Sequence, residues 1–315
     1  MARSKRKTLR ERITTNYFTL YATLVVTSVL WLLPDFRNPF LIGGFSVAVA
    51  LAFILRESNN HFQWIRVRSR MTSSTWLMLA TVCIPCHAVS LAWVLPFCLL
   101  GAYDLLFAAS AHSNRTGFVF HTFLLLTLAS YLLPEMVYMM PVFLWQMGYR
   151  LRILSWRTFF AALLGIVFPL WLYFAWNVWN GTLGNMFDFM HSCIEWEIPN
   201  YAEVGDATRV YMIFIGVCAF FGITHCLRAR FRDKKIVRDM HYIMMVHEVL
   251  LLALFFFKPS LFSFMLPLVL MNTAPLLSHY FTLARGRWLM GIWFDLWLAG
   301  FVVLWLAGFF HWWGL

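Results

Sequence analysis

Carboxylates gather in one long polar interval, residues 177–209, beside a single histidine. No Lys or Arg occurs there before Arg209, whereas every other substantial polar interval is basic. At a membrane surface these side chains can serve as a general base or hold a divalent cation for a lipid-phosphate substrate. Alternatively, the acids only solvate an outward loop. The candidate catalytic residues are Asp188, His191, Glu195 and Glu197, and the remaining acids are Glu203 and Asp206.

Apolar side chains recur at helical spacing inside this acidic interval. Phe187, Met190, Ile194 and Ile198 lie three or four residues apart, and the acids and His191 fall elsewhere on the wheel. The pattern predicts an amphipathic interfacial helix over 186–198, at the outer surface of the membrane.

Ionisable residues inside apolar spans form a second group of candidates. Each costs about 2.5–3.5 kcal/mol on insertion scales, so each is a functional candidate. The functional interpretation is a proton or cation relay, and the structural one is interhelical hydrogen bonding that fixes packing. The intramembrane polar residues are Asp104, Glu248, Asp295, His247 and His87, with His121 and His279 in other spans.

One short motif has the spacing of covalent haem attachment: Cys83-Ile84-Pro85-Cys86-His87. It also resembles a redox C-x-x-C, and Cys83 and His87 share a helix face as a metal-binding pair would. We expect instead small polarisable side chains near mid-bilayer, packed beside a helix kinked at Pro85. No metal site and no cofactor is assigned from the sequence.

Basic residues cluster most densely in residues 227–240. They are expected to attract anionic lipid headgroups, while the net charge of +11 follows from cations that flank apolar spans and does not indicate nucleic-acid binding. No nucleotide-binding glycine motif occurs. The expected headgroup-binding residues are Arg228, Arg230, Arg232, Lys234 and Lys235.

The composition indicates which elements hold these residues. The chain is 61% hydrophobic and only 12% charged, with mean hydropathy +0.70. A protein whose outer surface faces hydrocarbon tolerates that surplus. The fold class is therefore all-α, a polytopic membrane protein.

The apolar runs predict about 11 transmembrane helices, with the N-terminus cytoplasmic and the C-terminus outside. A basic cytoplasmic tail over 1–16 precedes a single transmembrane domain over 17–312. Only Arg37, Arg209 and Lys258, of 25 Lys and Arg residues, fall in outward intervals, as the positive-inside rule requires.

The middle of the chain resembles a family of uncharacterised polytopic inner-membrane proteins of Bacteroidota, known only as a domain of unknown function. The resemblance implies a bacterial inner-membrane location and no activity. It depends on Arg150, Arg152, Ser155-Trp156-Arg157, Ala161 to Gly165 and Pro169, and on the turn Arg37-Asn38-Pro39.

A looser similarity is to membrane glycosyltransferases that use polyprenyl-phosphate sugars. Those enzymes place an acidic residue just after the first span, where this chain has Asp35. Their first outer loop is long, whereas residues 34–39 form a bare turn. The similarity implies a catalytic role for Asp35.

Three hypotheses follow. The first is envelope biogenesis on a lipid-linked or amphiphilic substrate at the outer leaflet, near residues 186–206. The second is a secondary transporter whose coupling ions use Asp104, Glu248 and Asp295. The third is a non-catalytic scaffold for other inner-membrane proteins. Membrane lipids are partners in every case.

Overall fold

A computed structural model describes residues 9–67, 69–112, 115–195, 199–202, 204–284 and 289–313, which contain helices and no strands. Helices are expected in hydrocarbon, because each satisfies its own backbone donors and acceptors. The helices are α1 (Leu9–Thr15), α2 (Thr19–Leu32), α3 (Pro39–Phe62), α4 (Met71–Val82), α5 (Val94–Ala111), α6 (Arg115–Leu132), α7 (Met139–Tyr149), α8 (Trp156–Trp179), α9 (Gly184–Ser192), α10 (Asp206–Ala229), α11 (Lys235–Phe257), α12 (Phe262–Leu283) and α13 (Leu289–Trp313).

Seven helical segments of the described chain are long and apolar enough to cross a membrane, as expected of a helical membrane protein. The pair α1 and α2, bent by 97°, adds an eighth if it is counted as one span. The predicted count of eleven spans, and the sides of the two termini, stay predictions. The seven segments are Pro39–Phe62, Leu91–Ala111, Trp156–Trp179, Asp206–Ala229, Lys235–Phe257, Pro259–Leu283 and Gly291–Phe310.

The chain divides into two compact units. Unit 1 comprises residues 1–90, 202–248 and 269–315, and unit 2 comprises residues 91–201 and 249–268. The helices α11 and α12 each run from one unit into the other. The prediction of one membrane domain over 17–312 is not tested by this division.

Helix ends follow local sequence signals. The side chain of Asn38 accepts a hydrogen bond from the Phe40 N–H ahead of α3, which begins at Pro39. Ser155 and Thr158 form a reciprocal capping box at the start of α8. These caps satisfy N–H groups that have no partner inside the helix.

The expected kinked helix through Pro85 is wrong. Helix α4 ends at Val82, and residues 83–93 are a connection with two short 3₁₀ turns before α5. Proline lacks an N–H and its ring disfavours a helical conformation before it, so the helix stops instead of bending. The connection packs closely on α3, where a Cβ on Gly44 would lie 2.0 Å from the His87 carbonyl oxygen.

Two predicted helices are shorter than expected. One of the eleven predicted spans corresponds to residues 136–148, where the structure has a 3₁₀ turn followed by α7, whose 11 residues extend only about 16 Å. The expected interfacial helix over 186–198 is α9, which ends at Ser192. Ile194 therefore lies beyond its end, and Ile198 lies outside the described residues.

Candidate functional site

Glu248 is the most deeply buried carboxylate of the described chain and lies in α11 within unit 1. Its side chain is 0% exposed. The amide of Asn272 donates to its Oε2 at 2.7 Å, and the hydroxyl of Thr273 donates to its Oε1 at 2.5 Å. Within the described residues no Lys or Arg forms an ion pair with Glu248. This buried carboxylate is thus held by neutral donors alone.

A histidine pair lies on the same two helices, closer to the loop between α10 and α11. The rings of His241 and His279 have centroids 4.7 Å apart, and both residues are buried. His241 precedes Glu248 by seven residues, and His279 follows Asn272 by seven. Because seven residues are two helical turns, each helix carries its two polar residues on one face, about 10.5 Å apart. We call these four residues the polar stripe.

Asp233 closes the loop end of the polar stripe. Its carboxylate lies 3.3 Å from Nε2 of His279 and 3.6 Å from the guanidinium of Arg66. Burial alone would raise the pKa of Asp233, but the hydrogen bond and charge of His279, with His241 and Arg66, lower it below the usual value. His225 of α10 packs against His279 with ring centroids 5.3 Å apart. Two histidines therefore flank His279 beside an ionised carboxylate.

Helix α4 carries a run of four hydroxyl side chains and contacts α12 through the first of them. Thr72 and Ser278 are joined by a hydrogen bond of 3.2 Å. The next three residues, Ser73, Ser74 and Thr75, are buried, and none of their hydroxyls has a hydrogen-bond partner among the described residues. Thr75 follows Thr72 by one turn and so shares its helix face. The hydroxyl run offers proton donors and acceptors in the interior of unit 1.

The other intramembrane candidates differ in burial. His247 is buried next to Glu248 in the chain. Asp104 is half-buried and belongs to unit 2, and Asp295 is exposed on α13. The transporter hypothesis therefore keeps one of its three carboxylates in a buried network.

His87 lies in the connection after α4 and not within a helix. Its ring stacks on Trp31 with centroids 4.1 Å apart, and its Nε2 lies 2.9 Å from the Thr81 carbonyl oxygen. Cys83 and Cys86 are buried and unbridged. In the described part of the chain, no group of three or more His, Cys, Asp or Glu side chains is arranged to hold a metal ion.

The predicted catalytic acids are exposed on and after α9, which buries none of its residues. His191 and Glu195 lie 3.6 Å apart, and Asp188 is exposed one turn earlier. Glu197 lies outside the described residues. Asp35 belongs to unit 1, where it accepts a hydrogen bond from the Arg37 N–H in the turn after α2.

A buried ion pair, which sequence reasoning missed, anchors residues 177–201, the part of the acidic interval that belongs to unit 2. We call this part the acidic loop. Lys258 donates to Glu135 at 2.8 Å and to the Glu195 carbonyl oxygen at 2.8 Å. The hydroxyl of Tyr138 donates to the Cys193 carbonyl oxygen at 2.8 Å. A signal existed: Lys258 is a lone cation, and Glu135 a lone acid, in two separate turns that the sequence predicts to face outward.

The expected headgroup-binding residues lie on the surface between α10 and α11. Arg228, Arg232, Lys234 and Lys235 are exposed, and the side chain of Arg230 lies outside the description. Exposure leaves these cations available to lipid phosphates.

No family model, curated protein or solved structure matches this chain. The resemblance to the polytopic inner-membrane family and the similarity to membrane glycosyltransferases therefore stay predictions.

Proposed function

We propose that the protein is a multi-pass transporter of the bacterial inner membrane that couples substrate movement to proton transfer through unit 1. The observation that carries this proposal is the fully buried Glu248 carboxylate, which has neutral partners at both oxygens and no described cation.

An unpaired buried charge costs several kcal/mol, which hydrogen bonds from two neutral donors offset only in part. Taking up a proton removes that cost, so the site gains stability whenever a proton arrives. Thr273 can then reverse its role, because a hydroxyl accepts as well as donates. Glu248 thus has what an exchangeable proton carrier requires: a buried position, a charge that is costly to hold and partners that fit both forms.

The polar stripe provides a route for protons between the loop end and Glu248. Asp233 and His279 form the loop end of this route, where Arg66 is partly exposed. The two helical turns from His241 to Glu248 exceed one hydrogen bond, so the transfer needs intervening water. His is suited to relay because its ordinary pKa lies near neutral pH.

Contacts at the loop end support its assignment to the cytoplasmic side. Arg10 of α1 donates to the Ala284 carbonyl oxygen at 2.8 Å, and Arg66 donates to the Arg232 carbonyl oxygen at 3.3 Å. The first contact joins the basic N-terminal segment to the end of α12, and the second joins the cation-rich intervals 56–70 and 227–240, all within unit 1. The positive-inside rule assigns such an end to the cytoplasm, so the N-terminus is inside and eleven spans place the C-terminus outside.

Proton-driven accumulation tests the proposal. Proteoliposomes holding the full-length protein are given a proton gradient and a mixture of amino acids, sugars, nucleosides and small carboxylic acids, and the trapped compounds are identified by mass spectrometry. We expect accumulation that needs the gradient, is abolished by Glu248→Gln and partly restored by Glu248→Asp.

The matched control is Glu57→Gln, which alters a carboxylate whose side chain is 73% exposed. This variant should transport as the wild type does. Undiminished accumulation by a folded Glu248→Gln protein would refute the proposal, as would gradient-independent accumulation in the wild type.

The second candidate function is envelope biogenesis at the outer leaflet. It is favoured by α9, which exposes Phe187 and Met190 beside Asp188 and His191 while the following segment is tied to unit 2 by Lys258. An exposed apolar and acidic helix suits an amphiphilic substrate. If Glu195→Gln or Glu197→Gln abolishes growth-supporting function while Glu248→Gln and Asp104→Asn do not, this candidate replaces the transporter.

The scaffold hypothesis has its own signature. If all of these variants support growth and the protein copurifies with another inner-membrane protein, neither the carboxylates nor the acidic loop carries the function.

A further inference from the structure

An apolar groove of about 550 Å³ runs along unit 1, independently of the polar stripe. Helices α2, α4 and α13 form its walls, and α1 lies at one end. Its apolar lining includes Ala22, Val26, Leu30, Val82, Phe301 and Leu306.

Threonines that line the groove contribute methyl groups to its wall. The hydroxyl of Thr23 donates to the Thr19 carbonyl oxygen at 2.8 Å, and that of Thr27 to the Thr23 carbonyl oxygen at 2.9 Å. Thr81 of α4 donates in the same way to the Leu77 carbonyl oxygen at 2.7 Å. These three hydroxyls are satisfied within their own helices, so the threonines present no unpaired donor to a hydrocarbon chain in the groove.

The α1 end of the groove is cationic and polar. Arg12 and Asn16 line it there, and both are exposed. Arg12 forms no ion pair with any residue that the structure describes. Because α1 meets α2 at 97°, α1 lies along the bilayer surface if α2 crosses the bilayer. The guanidinium then sits at the depth of the lipid phosphates.

We propose that the groove binds one anionic phospholipid, with an acyl chain along α2 and the phosphate at Arg12. The part of α2 that lines the groove, from Thr19 to Leu30, is about 16 Å long. An acyl chain in one leaflet of a bilayer has a similar length. The groove volume of about 550 Å³ is large enough for one acyl chain. A single cation at the mouth selects an anionic headgroup over a zwitterionic one.

Native mass spectrometry of the full-length protein, titrated with phosphatidylglycerol or phosphatidylcholine, tests this proposal. The wild type should bind one phosphatidylglycerol more tightly than phosphatidylcholine. Arg12→Gln should reduce that preference by about fivefold, the effect of one cation near a lipid surface. Ala22→Trp fills the groove and should abolish binding of both lipids.

Two controls separate the groove from general lipid attraction. Val25→Trp adds the same bulk to an exposed position of α2 outside the groove, and Arg37→Gln removes an exposed cation from the turn after α2. Both should bind phosphatidylglycerol as the wild type does. Equal affinity for the two lipids, or unchanged binding by Ala22→Trp, would overturn the proposal. So would a lipid-free dimer that Ala22→Trp dissociates, since a second copy would then occupy the groove.

Discussion

The polar stripe of unit 1 and the acidic loop of unit 2 treat charge in opposite ways. The stripe holds a carboxylate and two histidines at 4% exposure or less, each packed against polar neighbours. The loop holds a carboxylate and histidine pair whose side chains are 53% and 76% exposed. Water screens exposed charges, so an exposed ion pair contributes little free energy. Burial, by contrast, changes the free energy of protonation and of ion binding. The buried polar stripe is therefore better suited to proton chemistry than the exposed acids and histidine of the loop.

The loop nevertheless depends on a buried interaction, and removing it should give the largest effect. Lys258→Met leaves Glu135, whose side chain is 5% exposed, as an unpaired buried charge. We expect the free energy of unfolding to fall by about 3–5 kcal/mol. Titration with sodium dodecyl sulfate, followed by circular dichroism, measures the loss.

Two further variants sharpen that result. Replacing both partners, in Lys258→Met with Glu135→Leu, should recover much of the stability because no lone charge remains. Arg209→Gln breaks an ion pair with Asp206 whose side chains are 42% and 94% exposed, and should have little effect. A Lys258→Met protein as stable as the Arg209→Gln protein would show that the buried pair does not anchor the loop.

Beside the polar stripe, Thr273→Val should cost less. It removes one hydrogen bond to a carboxylate, about 1.5–3 kcal/mol if Glu248 is charged. A double-mutant cycle with Glu248→Gln measures the coupling by the same detergent titration, and the loss should shrink in the Gln background. Thr127→Val is the control, because the Thr127 hydroxyl donates only to its own helix, at the Phe123 carbonyl oxygen. An equal loss in both backgrounds would deny any link between Thr273 and the carboxylate.

The helices were predictable from the sequence because a long apolar run in a bilayer must satisfy its own backbone hydrogen bonds, which a helix does. The break at Pro85 was visible as a proline, yet whether a helix bends or ends depends on what packs around it. Here the His87 carbonyl approaches Gly44 of α3, a contact that no local pattern announces.

The candidate site divided in the same way. Glu248 stood out because a carboxylate in an apolar run is conspicuous alone. The pairing of His279 with Asp233 joins residues 46 positions apart, and that of Lys258 with Glu135 joins residues 123 apart. Acids that are neighbours in the sequence, such as those of the loop, form a recognisable pattern, whereas groups that only folding brings together do not. The seven-residue spacing of His241 and Glu248 was the available signal.

Acidification should cause a smaller loss of stability, through Asp233 at the loop end of the polar stripe. The pKa of Asp233 is lowered from its usual 3.8, so the ionised carboxylate stabilises the fold above that pH. The stabilisation is lost as the pH falls through the lowered pKa of the folded state. Asp233→Asn should therefore be less stable than the wild type at about pH 5 and should lose less on acidification to about pH 3. Parallel losses in the two proteins would mean that Asp233 has the same pKa folded and unfolded.

The smallest expected effect is a gain, and it is in the loop. A Cβ on Gly184, the first residue of α9, would meet no atom within 4 Å. Gly184→Ala should therefore stabilise by about 0.5 kcal/mol, because alanine loses less backbone entropy on entering a helix. A loss of stability would mean that α9 packs against a surface at this point, so that its acids are less exposed in the membrane than they are here. Asp188 and His191 would then be among the residues whose chemistry burial tunes, as it does in the polar stripe.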